Sequence, residues 1–112
     1  MKVALYARVS TKDKDQNPET QLRQLEKYCS EKGWEIIEKY IDYESGRKSS
    51  RPALNKLKQD AIRRRFESVL VWKMDRFSRA GIKELFYALD FLNKCNICVI
   101  SLTEPFLSTD GP

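Results

Sequence analysis

A guanidinium and a hydroxyl stand two residues apart near the start of this chain, in the run Lys2 to Thr11, KVALYARVST. Val3 to Val9 alternates small and apolar residues in the manner of a buried β-strand, and the strand runs straight into Ser10 and a polar loop. Side chains alternate across a strand, so Tyr6 and Arg8 share a face, which Ser10 continues if the strand persists that far. An arginine beside a strand-end serine is a candidate pair for phosphate chemistry. The guanidinium fork matches phosphate oxygens, and the crevice beyond the carboxyl ends of the strands is where open α/β sheets hold ligands. A second charged group, Asp75, Arg76 and Arg79, follows the apolar run Val69 to Trp72. Asp42 closes a third β-like run, Arg51 precedes a proline at a helix start, and Gln21 lies one turn inside the first helix, at the end nearest the first strand's exit.

Each of these has an ordinary reading too. Any strand can end in a serine, and Asp75 and Arg79, four apart, would pair on a helix surface for about 0.2–0.5 kcal/mol. Two further motifs carry only the ordinary reading. Asp13 and Asp15 form a D-x-D, but Lys12 and Lys14 interleave them and no third carboxylate is near, so a solvated loop is expected. Cys95 and Cys98 form a C-x-x-C that closes a helical pattern and enters a strand, the reverse of the redox arrangement in which a helix N-terminus lowers the thiol pKa. With three cysteines and no histidine the chain cannot supply a four-ligand zinc site of the structural kind. Cys29, Cys95 and Cys98 are therefore read as small buried residues, and their odd, sparse number suits a reducing cytoplasm.

Around these residues the chain has the makings of one domain. It has 112 residues, of which 41% are hydrophobic and 33% charged, a globular balance. No apolar run approaches the roughly 20 residues that span a bilayer, and the stretch after Lys2 is too short for a signal peptide. No membrane partner is expected. The net charge of +5 is unevenly spread. From Arg47 to Lys83 there are 12 Lys or Arg against Asp60, Glu67 and Asp75, a net of +9, while the rest of the chain carries a net of −4. A segregated basic region suits a polyanion, with binding that weakens as salt rises. Within it, the triplet Arg63, Arg64, Arg65 is better read as solvating a helix end, where cations also complement the dipole.

The elements follow from punctuation and period. Asn17 is a good N-cap, Pro18 suits the first helical position, and Gly33 suits the left-handed cap of a first helix that carries Leu22, Leu25 and Tyr28 or Cys29. Trp34 to Ile41 is rich in β-formers and ends at Asp42. After the polar loop Ser45 to Ser50, Arg51-Pro52 starts a second helix carried by Leu54, Leu57 and Ala61. Val69 to Trp72 is a short, doubly buried strand, Ile82, Leu85, Leu89 and Leu92 mark a third helix, and Ile97 to Leu102 a fourth strand. The order β-α-β-α-β-α-β predicts an α/β fold with a mainly parallel central sheet of about four or five strands flanked by helices. Parallel strands bring their exits to one edge, so Arg8 and Ser10, Asp42, and Asp75, Arg76 and Arg79 would share one crevice.

YARVST, the helix containing Gln21, IDYESG, Arg51, MDRFSR and the terminal STDG, in this order and spacing, resemble the catalytic domain of the serine recombinases, the resolvase and invertase family. The resemblance covers essentially the whole chain. It implies that Ser10 attacks a phosphodiester of double-stranded DNA to give a phosphoserine link and a free sugar hydroxyl. It implies active-site arginines at Arg8, Arg76 and Arg79, and a further phosphate-contacting arginine at Arg51. Gln21, Asp42 and Asp75 would be polar members of the site, and Tyr6 would pack beside Arg8. The family's additional lysine on the second helix aligns loosely here, and Lys56 and Lys58 are left out of the site.

No cofactor is expected. Arginines can stabilise the charge of phosphoryl transfer, exchange of one ester for another needs no ATP, and the chain has no P-loop motif. Without a histidine, the acceptor of the Ser10 proton is open among Asp42, Asp75 and an arginine-polarised path. The resemblance further implies that residues 1–112 end before an oligomerisation helix and a DNA-binding region, and that the full-length protein assembles into dimers and tetramers. The competing reading is a non-catalytic α/β module binding nucleic acid or a phosphorylated partner through its basic face, which needs the arginines but not Ser10. A metal-dependent nuclease or phosphatase is disfavoured by the lack of histidine and of a convincing carboxylate cluster.

Overall fold

In the computed structural model, which describes residues 1–10, 18–44, 52–72 and 82–103, the punctuation read from the sequence sets the element boundaries. Strand β1 (Lys2–Ser10) leads to helix α1 (Pro18–Lys32), β2 (Glu35–Glu44), α2 (Pro52–Ile62), β3 (Ser68–Val71), α3 (Ile82–Lys94) and β4 (Cys98–Ser101). Helix α1 starts at its proline and stops at Gly33, whose φ of 71° is the left-handed turn that glycine enters without strain. Asn96, at φ 61°, turns the chain in the same way after α3.

All four strands are parallel, in the order β2-β1-β3-β4. The chain steps from β1 to β2 in one direction, then crosses β1 to reach β3 and continues outward to β4. Right-handed crossovers in opposite directions put their helices on opposite faces of the sheet. One core accordingly joins Val3, Leu5, Leu70 and Ile100 to Leu25 and Cys29 of α1. The other joins Ala4, Tyr6, Tyr40, Val69, Val71 and Val99 to Leu54, Leu57 and Ala61 of α2 and Leu92 of α3. Successive β1 residues thus serve opposite cores, as the two-residue period requires. Each large apolar side chain buried in these cores contributes roughly 1.5–3 kcal/mol.

One boundary and one burial pattern differ from the sequence reading. Strand β2 does not stop at Ile41 but runs on to Glu44, so Asp42 lies within the strand, opposite Arg8. The neighbouring β1 extends equally far, to Ser10 opposite Glu44, and a strand with a partner of matching length keeps its ladder bonds. The cysteines also divide. Cys29 is buried as expected, but Cys95 and Cys98 are half-exposed, because the turn after α3 and the first residue of edge strand β4 are covered from one side only.

Candidate phosphoryl-transfer site

The order of the strands selects one place on the sheet. Strand β1 sends its chain one way and β3 sends its chain the other, so the crevice at their carboxyl ends is the topological switch point, where ligands of open α/β sheets bind. Arg8 and Ser10 close β1 beside it, and Asp75, Arg76 and Arg79 follow β3 in the sequence. The two strands end at different heights. Tyr6 is level with Val71, the last residue of β3, so β1 continues for four residues beyond its neighbour while β2 stays paired with it.

Of the predicted site residues, Arg8, Gln21 and Asp42 have described side chains. Ser10 is described as the last residue of β1 and no further, and Arg51, Asp75, Arg76 and Arg79 lie outside the described residues, as do Asp13 and Asp15. Arg8 is half-buried and faces Asp42 in the β1–β2 register. Gln21, in the first turn of α1, is buried, and its Oε1 has no hydrogen-bond partner among the described residues. A buried acceptor without a donor costs about 1–3 kcal/mol, and such groups gather where a ligand or substrate completes the bonding.

Asp42 is the best-determined group of the set. It is 2% exposed. Its Oδ1 accepts the Ala53 N–H at 2.8 Å, and its Oδ2 accepts the Leu54 N–H at 3.0 Å and the Tyr6 hydroxyl at 2.8 Å. The carboxylate therefore satisfies first-turn N–H groups of α2 and sits at the favourable end of its dipole. Tyr6 does more than pack. It is fully buried, and its hydroxyl spans from the middle of β1 to Asp42 on β2. The available sequence signal was the choice of tyrosine over phenylalanine in an interior strand position, since a buried hydroxyl needs a partner.

A second hydroxyl–carboxylate bond fixes the other end of α2. The Tyr40 hydroxyl donates to Asp60 Oδ2 at 2.6 Å, and Arg65 lies 3.2 Å from the same oxygen and 3.8 Å from Glu38. The Tyr40 bond, helped by Arg65 and Lys56, holds the Asp60 carboxyl below the ordinary carboxylate range against the opposing effect of burial. Burial, then the Asp60 bond and charge, push the Tyr40 phenol well above its ordinary value. All three arginines of the triplet are exposed, as the helix-end reading has it, and Arg65 in addition pairs with Asp60. Among the described residues no group of three or more His, Cys, Asp or Glu is placed to hold a metal ion, and no helix is long and apolar enough to cross a membrane. A groove of about 310 Å³ opens on the α1 face between Lys27, Tyr28, Trp72 and Leu102, and none of the predicted site residues lines it.

A four-stranded all-parallel α/β sheet of this order defines the class of fold, and comparison with known proteins narrows it. Residues 3–112 match the family described as Resolvase, N terminal domain, and the chain belongs to that family. It is similar to the N-terminal catalytic domain of TP901-1 integrase, with 37% identity and a TM-score of 0.86 over 99% of this chain and 83% of that one. It also resembles the C-terminal catalytic domain of ISC1926 TnpA, an IS607-like serine recombinase, at 28% identity and a TM-score of 0.77, covering 91% of this chain and 70% of the other. A protein of Bacillus subtilis (strain 168), named as a candidate DNA recombinase, is 34% identical over 108 residues. That match takes in 96% of this chain but only 21% of the Bacillus protein, so the chain spans about a fifth of this curated relative.

Proposed function

We propose that this domain is the catalytic part of a site-specific DNA recombinase that breaks and rejoins DNA through Ser10. The serine oxygen attacks the phosphorus of a phosphodiester. As the Oγ–P bond forms, the bond from phosphorus to one sugar oxygen breaks; the serine gives up its proton, and the departing oxygen takes one up. A phosphoserine ester and a free sugar hydroxyl result, and attack by a sugar hydroxyl from the exchanged strand reverses the step. One phosphate ester replaces another, so bond energy is roughly conserved and no ATP is called for. The observation that carries this reading is the switch point between β1 and β3, with β1 delivering Arg8 and Ser10 to it and β3 leading into Asp75, Arg76 and Arg79.

Arg8, Arg76 and Arg79 supply planar, permanently charged donors for the non-bridging oxygens, where charge stabilisation and positioning account for most of the catalysis of phosphoryl transfer. Arg51 makes a further phosphate contact, and Gln21, Asp42 and Asp75 complete the polar surroundings. The basic stretch from Arg47 to Lys83 attracts the duplex without reading its sequence. The test is denaturing electrophoresis of the full-length protein after incubation with end-labelled duplex fragments of the source organism's genome. A labelled covalent adduct is expected from the wild type and none from Ser10→Ala. An adduct that survives Ser10→Ala would refute the nucleophile, and unchanged DNA binding without any adduct in the wild type would favour a binding module.

A further inference from the structure

Helix α2 begins in an unusual way. Its first residue is Pro52, and the residue before it in the sequence is Arg51, a residue type whose side chain offers no acceptor for first-turn N–H groups. The missing acceptor comes from another element. Asp42 of β2 receives the Ala53 and Leu54 N–H groups, the second and third of the helix, as a cap residue's own side chain would. The same carboxylate receives the hydroxyl of Tyr6, which stands on β1 two residues before Arg8 and four before Ser10. Three donors converge on a carboxylate that is 2% exposed.

The geometry points to Tyr6 and Asp42 as a positioning unit that locks the strand bearing the nucleophile to the N-terminus of α2, and so sets Arg51 relative to Ser10. This rests on the function proposed above and assigns Asp42 a job different from receiving the Ser10 proton. Its oxygens already accept three bonds from α2 and Tyr6, and its effect on the reaction passes through Arg51, the residue before that helix in the sequence. The hydroxyl of Tyr6 acts the same way from the other side, by holding β1 at a fixed height against Asp42.

The test is a double-mutant cycle in the full-length protein, read as the single-turnover rate of covalent adduct formation on the same labelled genomic fragments, with DNA affinity measured separately by filter binding. A misplacement of about 1 Å can cost about 100-fold in rate, so Asp42→Asn is expected to slow adduct formation about 100-fold and Tyr6→Phe about tenfold. Both should leave DNA affinity within about twofold. Arg51→Ala combined with either should be no slower than Arg51→Ala alone, because residues acting through one group are not additive. Losses that multiply in the double variants would overturn the proposal, as would Tyr6→Phe at the wild-type rate or a loss confined to affinity. Thermal melts accompany each variant; if Asp42→Asn does not fold, the cycle between Tyr6→Phe and Arg51→Ala decides alone. Loss of the adduct in Ser10→Ala with a multiplicative cycle would refute only the positioning unit, whereas an adduct retained in Ser10→Ala would refute the underlying function.

Discussion

Replacing Tyr40 by phenylalanine removes one oxygen atom from the core and tests how the far end of α2 is held. Tyr40 is 2% exposed and Asp60 5%, and the 2.6 Å bond between them is the largest influence keeping the Asp60 carboxyl ionised. Hydrogen bonds to a charged group contribute about 1.5–3 kcal/mol, and a buried acceptor left short of donors costs a similar amount. Arg65 remains at 3.2 Å and offsets part of the loss, so about 2 kcal/mol of destabilisation at pH 7 is expected. The pH dependence has a definite sign. A carboxyl held below its unfolded value of about 3.9 contributes stability that is present above that value and lost as pH falls through the lower, folded one. In Tyr40→Phe the chief lowering influence is gone while burial still raises the group, so the variant has less to lose in acid. Equilibrium urea unfolding of both chains at pH 7 and near pH 3 measures this. The gap between them should shrink at the lower pH. A difference below about 0.5 kcal/mol at pH 7, or a gap that does not change with pH, would refute the argument.

Arg8→Lys and Arg76→Lys keep their charge but lose the planar fork, and each should reduce the adduct rate at least about tenfold; near-normal rates in both would mean bulk charge suffices. Arg64 is exposed with φ 55°, a conformation that costs a side-chain residue roughly 1 kcal/mol, so Arg64→Gly should raise stability by about 0.5 kcal/mol in urea titration and leave adduct formation unchanged. Burial, and to a lesser degree the charge of Glu26, push the Cys29 thiol up, so at pH 8 Cys95 and Cys98 should be alkylated well before Cys29, as read by peptide mass; early labelling of Cys29 would contradict its burial.

The fold was largely legible because its signals are local. Pro18, Gly33 and Pro52 mark helix ends through backbone geometry that depends on no other part of the chain, and the doubly apolar run Val69 to Val71 announces an interior parallel strand. What escaped was set by contacts between elements. Asp42 reads as the end of a strand because aspartate disfavours sheets, but the first-turn donors of α2 and the Tyr6 hydroxyl stabilise it inside one. Arg65 reads as one of three solvated cations; the turn that ends α2 brings it back to Asp60, and the packing of α2 against β2 brings it to Glu38. Half-exposure of Cys98 follows from β4 being an edge strand, a property of sheet order that no local pattern records. At the candidate site, Arg8 and Ser10 end β1 where the parallel order expects a strand exit, whereas the three bonds on Asp42 come from elements that no local pattern joins.

The central place of β1 also governs when the domain can fold. It is made before the other three strands of the sheet, yet Val3 must wait for Ser68, and Tyr6 for Val71, before its second edge is paired. No two neighbouring strands are joined by a hairpin, since all are parallel and a helix or more separates each pair in sequence. Until β3 has been synthesised, β1 has one unpaired edge and two apolar faces only partly covered, an invitation to association with other chains. Closure of such long loops is slow, so the domain should refold in milliseconds to seconds rather than microseconds. The strand proposed to carry the nucleophile is thus made before either of the strands that secure its edges.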